Sequence, residues 1–318
     1  MKQVVVFIRS MKFLGTQIVS YPLLYQIKQF WPDCHLRVVA QDDVGKHYLS
    51  LPWVDEFVRA NSLGEVFAAM RRQDDLLIVL HFASDKYGVA ALLKRPRIRL
   101  GFKNRRITDF VWTHSHPKNF GEYMGLGNLR VLAAYRDFDP ANAARNAICA
   151  LAHLAQSVVA PADVVLMPGG GAGDWKRWPI QKYVELADAL KTKLVENKAW
   201  TVAPKFCFVL GPDEAGEYAW LQSLGRDDFV FLMTQPIFEI SKAVMQARLI
   251  VANDCGPSHL AQFSGKPYVG VFHEPNREWF WARETSEDVI PADGTTEIGH
   301  VAVDDVFKAC VKVLNSPK

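Results

Sequence analysis

Eight short stretches of this chain are apolar along almost their whole length, with helical spacers between them. Those at 3–8, 36–40 and 76–80 lie in the first half, and those at 164–167, 206–210, 229–232, 248–252 and 268–272 in the second. A strand with one wet face alternates apolar and polar residues, whereas a strand covered on both faces does not. The spacers carry apolar residues at helical intervals. In Thr16–Phe30 these are Ile18, Leu23, Leu24, Ile27 and Phe30, with Pro22 limiting or kinking the first turns. Residues 63–72 and 86–94 read as further helices. After Pro179, the residues Ile180, Val184, Ala187, Leu190 and Leu194 continue the pattern. Strand–helix–strand repetition requires parallel sheets with right-handed crossovers, so the fold class is α/β.

The 318 residues suffice for two such domains. Residues 117–160 read as mainly helical, with Gly121, Gly125 and Gly127 marking a loop, and Ala160–Asp163 as a linker. The domains are then 1–160 and 161–303, followed by an amphipathic helix over 304–316 with Val306, Phe307, Cys310, Val311 and Leu314 on one face.

Composition bounds the function. Apolar residues make up 49% and charged residues 22%, as in soluble globular proteins, and the net charge is only +3. No apolar run reaches the ~18 residues of a membrane span. The apolar core of Met1–Ile8 is five residues, followed by Arg9 and Lys12, so it reads as a first strand and not as a signal peptide. Five scattered cysteines without a C-x-x-C pair point to a reducing cytoplasm and no structural zinc. His114 and His116 lack a third ligand at metal spacing and read as loop residues. No metal site is expected.

One segment departs from this near-neutral background. Lys94, Arg95, Arg97, Arg99, Lys103, Arg105 and Arg106 fall within thirteen residues that contain no acid. Such a run is either a solvated strand and loop or a focused positive field for an anionic partner. No nucleic-acid-binding motif accompanies it.

Two strand-to-helix corners in the second half carry candidate chemistry. Val164–Met167 leads into Pro168-Gly169-Gly170-Gly171-Ala172-Gly173-Asp174-Trp175-Lys176-Arg177-Trp178-Pro179. This loop is neither a Walker A nor a dinucleotide fingerprint: Lys176 follows Trp175, and Asp174 stands where a third glycine is needed. A lysine just before a helix opposes the helix dipole, and a bound phosphate would reconcile the two. The other corner is Asn253-Asp254-Cys255-Gly256-Pro257-Ser258-His259-Leu260-Ala261, between a buried strand and a short helix that Gly265-Lys266-Pro267 ends. Asp254 is either a helix cap or a ligand group there. Glu214, after strand 206–210, is either a ribose partner or a first-turn acid.

These residues resemble the bacterial glycosyltransferases related to the lipopolysaccharide heptosyltransferases (glycosyltransferase family 9). Lys176-Arg177-Trp178-Pro179 looks like that family's Lys-x-Trp-Pro element, and Asp254 to Leu260 like its Asp-x-Gly-x-x-His-Leu signature. In the first half Arg9, Gly15, Pro22 and Arg97–Phe102 are similar to further family segments. The resemblance implies a GT-B fold, two Rossmann-like domains facing across a cleft, with the last helix crossing back to the first domain. It implies an inverting, metal-independent transfer of a sugar, heptose from ADP-heptose, onto a lipid-linked lipopolysaccharide core acceptor, with no cofactor. The location implied is the cytoplasm, at the inner face of the inner membrane, and nucleic acid is not a partner. Lys176 would bind donor phosphate, Asp254 the sugar or ribose, and Glu214 the ribose. Cys255 and Gly256 would cradle the diphosphate, Gln235 and Ile237 would border the adenine, and Gly15 and His259 would complete the donor site. Lys94, Arg97, Arg99, Lys103 and Arg105 would face the anionic acceptor.

One position departs from the pattern. Thr16 stands where the family has the aspartate read as the base that deprotonates the acceptor hydroxyl, and a threonine cannot act as a base near neutral pH. Asp42, Asp43 and His81 are alternative bases. The rival to a transferase is a non-catalytic nucleotide-sugar or glycolipid binder. A third possibility, a nucleotide-sugar epimerase, would carry a nicotinamide cofactor, and the missing third glycine argues against it.

Overall fold

A computed structural model describes residues 1–9, 13–156, 161–171, 173–196 and 202–316. The chain divides into two compact units, Met1–Ala147 and Ile148–Lys318. The first holds β1 (Gln3–Phe7), α1 (Leu14–Ile18), α2 (Tyr21–Phe30), β2 (His35–Ala40), β3 (Glu56–Arg59), α3 (Leu63–Ala69), β4 (Leu76–Val79), α4 (Lys86–Lys94), β5 (Ile98–Lys103), β6 (His114–Pro117) and α5 (Met124–Ala133). Helix α6 (Pro140–Ala152) runs through the division between the units. The second unit adds β7 (Val164–Met167), α7 (Ile180–Glu196), β8 (Phe206–Leu210), α8 (Ala215–Ser223), β9 (Phe229–Met233), α9 (Ile237–Gln246), β10 (Leu249–Asn253), α10 (Ser258–Ser264), β11 (Tyr268–Val271), β12 (Ser286–Val289) and α11 (Val303–Leu314).

Each unit is built on a six-stranded sheet whose strand pairs are all parallel. The orders are β3-β2-β1-β4-β5-β6 and β12-β11-β10-β7-β8-β9. Counted from β7 and read from its other edge, the second order is the same as the first. Both are the doubly wound order whose strand direction of travel reverses at one point: between β1 and β4 in the first sheet, and between β7 and β10 in the second. The crevice at the carboxyl ends of such a strand pair is where doubly wound sheets bind ligands.

Seven inner strands and the edge strand β9 match the apolar runs; β5, an inner strand with the basic sequence IRLGFK, does not. β3 (EFVR), β6 (HSHP) and β12 (SEDV) are sheet-edge strands, each with one neighbour, and their sequences are correspondingly polar. His114 and His116 therefore lie in β6, not in a loop. The stretch 16–30 is two helices, because Pro22 in the first turn of α2 has no N–H to continue the ladder from α1. Gly125 and Gly127 sit inside α5, where a side chain on Gly127 would come within 3.2 Å of Glu122 and 3.6 Å of Phe102.

The expected linker at 160–163 lies partly outside the described residues. The division falls inside α6, and residues 157–160 lie outside the described set. The closing helix α11 has its apolar face in the core of the second unit. Val306, Ala309, Cys310 and Val313 are buried in the core of the second unit with Trp178, Leu186, Leu190 and Val271, and α11 packs on α7, β11 and β12. With its buried residues at helical spacing (306, 309, 310 and 313), α11 has a single face to bury, and α7 and the sheet cover it.

Candidate functional site

Loops following four adjacent strands of the second sheet bring the candidate donor residues to one carboxyl edge. Lys176 follows β7, Glu214 follows β8, Gln235 follows β9 and Asp254 follows β10. Lys176 and Asp254 occupy the reversal point, and they are paired: Lys176 Nζ donates to Asp254 Oδ2. Their side chains are 18% and 11% exposed, so the pair is largely removed from water.

The local sequence dictates this placement. Gly173 adopts φ +121°, a conformation that disfavours any side chain, and it opens a 3-10 turn over Asp174–Lys176. Arg177 N–H closes the turn on the Asp174 carbonyl at 2.9 Å. Trp178 then anchors the segment. It is buried in the core, and its indole N–H donates to the Val301 carbonyl at 3.0 Å. Removing a buried tryptophan of this kind costs about 3–5 kcal/mol. Lys182 adds bonds from Nζ to the carbonyls of Gly299 (2.6 Å) and Val301 (2.9 Å). The Trp-Pro part of the motif is thus a structural plug that fixes where Lys176 points.

On the opposite loop, Asn253 is fully buried and clamps the two corners together. Its Nδ2 donates to the Pro168 carbonyl at 2.6 Å, and its Oδ1 accepts from the Tyr183 hydroxyl at 2.8 Å. Ser258 Oγ donates to the Cys255 carbonyl at 2.7 Å, holding the turn ahead of α10. Burial pushes the Cys255 thiol up to about 12, so it stays protonated and is no nucleophile. His259 is buried beside Trp279, with ring centroids 5.6 Å apart, and burial pulls its imidazole down to about 4. It is a neutral residue under the loop, not a group on the open surface.

Glu214 is buried as well. It accepts the Gly211 N–H at 2.7 Å and pairs with Arg177 Nη2 at 3.1 Å, and its carboxylate lies beneath Gly169, where an added Cβ would meet it at 3.3 Å. Its geometry is that of a brace between the loops after β7 and β8. Gln235 is exposed, with Nε2 donating to the Met233 carbonyl at 3.2 Å, and Ile237 opens α9. Two residues of this edge escaped sequence reasoning. Trp175, 53% exposed, stands edge-on to His273 with centroids 4.6 Å apart, and Lys176 Nζ lies 5.1 Å from the Trp175 ring. His273 follows β11, and the only signal for it was a polar residue at a strand's end. Among the described residues, no three His, Cys, Asp or Glu side chains gather as metal ligands.

In the first unit the reversal point lies between β1 and β4. Gly15 and Thr16 are in α1, and Thr16 Oγ1 donates to the Phe13 carbonyl at 2.7 Å, a local helix-end bond. Ser10–Lys12 lie outside the described residues. His81 follows β4 and stacks on Tyr87 (4.2 Å, 16°). Burial, and then Lys86 and Arg9, bring it down to about 3 against a bond to the Ile8 backbone, so it is neutral and weakly basic. Asp42 caps Val44 N–H at 3.1 Å, and Asp43 pairs with Lys46 and Arg59 at the surface.

The basic segment is divided by the fold. Lys103 ends β5 and Arg105 follows it at the carboxyl end. Lys94 and Arg97 precede the strand at its amino edge, where Arg97 lines a small hollow with Met1, Lys2 and Asp75. Arg99 turns inward, donating to the carbonyls of Val111 (2.8 Å) and Pro96 (2.7 Å). The five residues expected to face one acceptor do not share one edge.

Two doubly wound α/β units of like topology make up the GT-B fold, which this chain shares with solved glycosyltransferases. A glycosyl transferase of family 9 from Veillonella parvula is 16% identical, with 98% of this chain and 97% of that chain covered and a TM-score of 0.64. E. coli ADP-heptose lps heptosyltransferase II is 16% identical over 99% and 98%, at 0.62. E. coli heptosyltransferase WaaC with ADP is 13% identical over 96% and 98%, at 0.66. A sequence search of curated proteins gave no match. The family profile described as glycosyltransferase family 9 (heptosyltransferase) matches residues 70–290. The chain belongs to that family and is a glycosyltransferase.

Proposed function

We propose that this protein transfers a sugar, heptose from ADP-heptose, onto a lipopolysaccharide core acceptor with inversion at the anomeric carbon. The observation that carries the reading is the pairing of Lys176 with Asp254 at the reversal point of the second sheet. A lysine held there by a buried tryptophan plug and paired with Asp254 is a preorganised partner for a diphosphate. Binding of the donor would move Lys176 from Asp254 to phosphate and release the carboxylate for hydroxyls of the sugar or ribose. In the transfer step the acceptor oxygen bonds to the anomeric carbon while the bond from that carbon to the diphosphate oxygen breaks. The electron pair leaves with ADP. Lys176 and the backbone N–H groups of Cys255 and Gly256 would stabilise the charge developing there. The first unit would bind the acceptor, whose hydroxyl proton must pass to a base.

The two E. coli neighbours are described as heptosyltransferases, one of them solved with ADP, which supports an ADP-sugar as donor. Incubation with ADP-heptose and a truncated core acceptor tests the reading: ADP release that depends on both substrates is expected. A second reading, donor binding without transfer, is favoured by Thr16, whose hydroxyl is committed to the Phe13 carbonyl. ADP binding without turnover would decide for it.

A further inference from the structure

We propose, resting on the donor reading above, that Trp175 and His273 form the subsite that recognises the sugar of a nucleoside-diphosphate sugar. Strand order says where such a subsite lies. Lys176 and Asp254 follow β7 and β10 at the reversal point, while Glu214 and Gln235 follow β8 and β9 on one side of it. With the diphosphate at Lys176 and the nucleoside toward Glu214 and Gln235, the sugar falls on the other side, over β10 and β11. Neighbouring strands are about 4.8 Å apart, so the four steps from β9 to β11 span roughly 19 Å, room for a nucleoside, a diphosphate and a sugar in a row.

Trp175 belongs to the loop after β7 but reaches across to β11. Its ring centroid lies 4.6 Å from that of His273, which follows β11. Gly173 makes room for the indole: a side chain at that position would come within 3.2 Å of Cδ1 and 3.3 Å of Nε1. Trp175 is the only exposed tryptophan among the described residues. A ring left in water beside a paired lysine and aspartate adds little to the core, whereas aromatic walls with a few fixed polar groups are the usual lining of a ligand site. The face of an indole is weakly negative, so it attracts Lys176 Nζ, 5.1 Å away, and it equally suits the weakly positive C–H bonds on one face of a sugar ring.

His273 supplies the polar half of the subsite. Its side chain is 10% exposed, and Nε2 pairs with Glu274 Oε1 at 3.2 Å. A carboxylate beside Nε2 favours the proton on that nitrogen, which leaves Nδ1 as an acceptor. Nδ1 is buried and has no hydrogen-bond partner among the described residues. An unpaired buried acceptor is costly, and a ligand hydroxyl that meets it as the half-exposed indole shifts would satisfy it. A diphosphate oxygen only accepts and cannot fill that role; a sugar hydroxyl can. Stacking on Trp175 tolerates many sugars, whereas a buried acceptor discriminates against a sugar that lacks a hydroxyl at that place. Trp175 thus holds the ring and His273 reads it.

Calorimetric titration of the full chain with ADP, ADP-heptose and ADP-glucose, in the absence of acceptor, tests the subsite. The parent should bind at least one of the two ADP-sugars more tightly than ADP. Trp175→Ala should weaken that ADP-sugar at least about tenfold while ADP affinity stays within about threefold of the parent and the melting temperature is unchanged. Trp175→Phe should recover most of the loss. His273→Phe keeps a ring against Trp175 and removes the acceptor, so it should weaken the ADP-sugar several-fold and leave ADP alone. The proposal is overturned if the parent binds ADP but prefers neither ADP-sugar, or if Trp175→Ala keeps the preference. It is overturned as well if Trp175→Ala lowers both affinities alike, which would make Trp175 a partner of Lys176 and the phosphates. Full ADP-sugar affinity in His273→Phe overturns the role of Nδ1. If the parent binds no ADP, the donor reading itself fails and the subsite falls with it.

Discussion

Lys176→Met is the sharpest test of the donor site. The Lys176–Asp254 pair joins unit charges in hydrogen-bond contact, for which the gross attraction is about 4 kcal/mol at an effective dielectric near 20. Desolvation of both groups opposes this, and residual exposure of both side chains screens it, so the pair's net contribution to stability is about 1 kcal/mol. Removing only the lysine is worse than removing the pair, because Asp254 is left largely buried without a cation; about 2–3 kcal/mol of destabilisation is expected. ADP binding should suffer more. A charge-assisted hydrogen bond worth about 1.5–3 kcal/mol is lost, and the unpaired carboxylate now repels the diphosphate. A total near 3 kcal/mol corresponds to roughly a 100-fold rise in Kd. Asp254→Asn acts in the opposite direction, releasing Lys176 to phosphate, and should tighten ADP binding several-fold. Lys176→Met/Asp254→Asn should recover most of the stability and only part of the affinity. Calorimetric titration with ADP and urea unfolding of all four proteins measure both quantities. The reasoning is refuted if Lys176→Met binds ADP within about threefold of the parent, a difference below 1 kcal/mol. It is equally refuted if the double variant is no more stable than Lys176→Met.

Stability should fall between pH 6.5 and 4 because of His259. Its folded value is depressed from 6.5 to about 4, so below pH 6.5 the unfolded chain gains a proton that the fold refuses. The stabilisation is fully present above 6.5, and about 3 kcal/mol is lost on the way down. His81 behaves alike, so His259→Gln should flatten the urea-unfolding profile in that window only in part, and an unchanged slope would contradict the assignment. Thr16→Asp, which puts an acid in the first turn of α1, should raise turnover by about 10²-fold or more if the missing base limits the rate. An unchanged kcat would place proton removal on another group. Asp74→Ala should destabilise the first unit by about 3–5 kcal/mol, because Arg37 is fully buried and loses its 2.8 Å partner. A loss below about 1 kcal/mol in thermal unfolding would mean that Glu56 alone satisfies the guanidinium.

The inner architecture was legible in the chain because inner strands of a parallel sheet are covered on both faces, and their composition carries that burden residue by residue. β1, β4, β7, β8 and β10 could be read this way. The polar edge strands β3, β6 and β12 could not, since the strand beside each decides its pairing, and neither could the basic β5, whereas the apolar edge strand β9 could. The two motif loops were also legible: Gly173, Trp178-Pro179 and the Asp254 turn are local devices, needed wherever a strand must hand over to a helix around a ligand.

Pairing across long separations was left to the tertiary structure. That Lys176 meets Asp254, 78 positions away, follows from β10 lying beside β7, a matter of crossover order that no local pattern encodes. The same holds for Trp175 beside His273, for Asn253 clamping Pro168, and for Glu214 pairing with Arg177. The basic segment shows the limit most plainly. Along the chain it is one run of charge, but β5 passes through it, sending Arg97 to one end of the sheet, Arg105 to the other and Arg99 inward. A strand separates its ends by its own length, so charges that are neighbours in sequence need not act on one partner. Local sequence determined which residues form the elements and which loops carry chemistry; the order in which the strands assemble decided which side chains face one another.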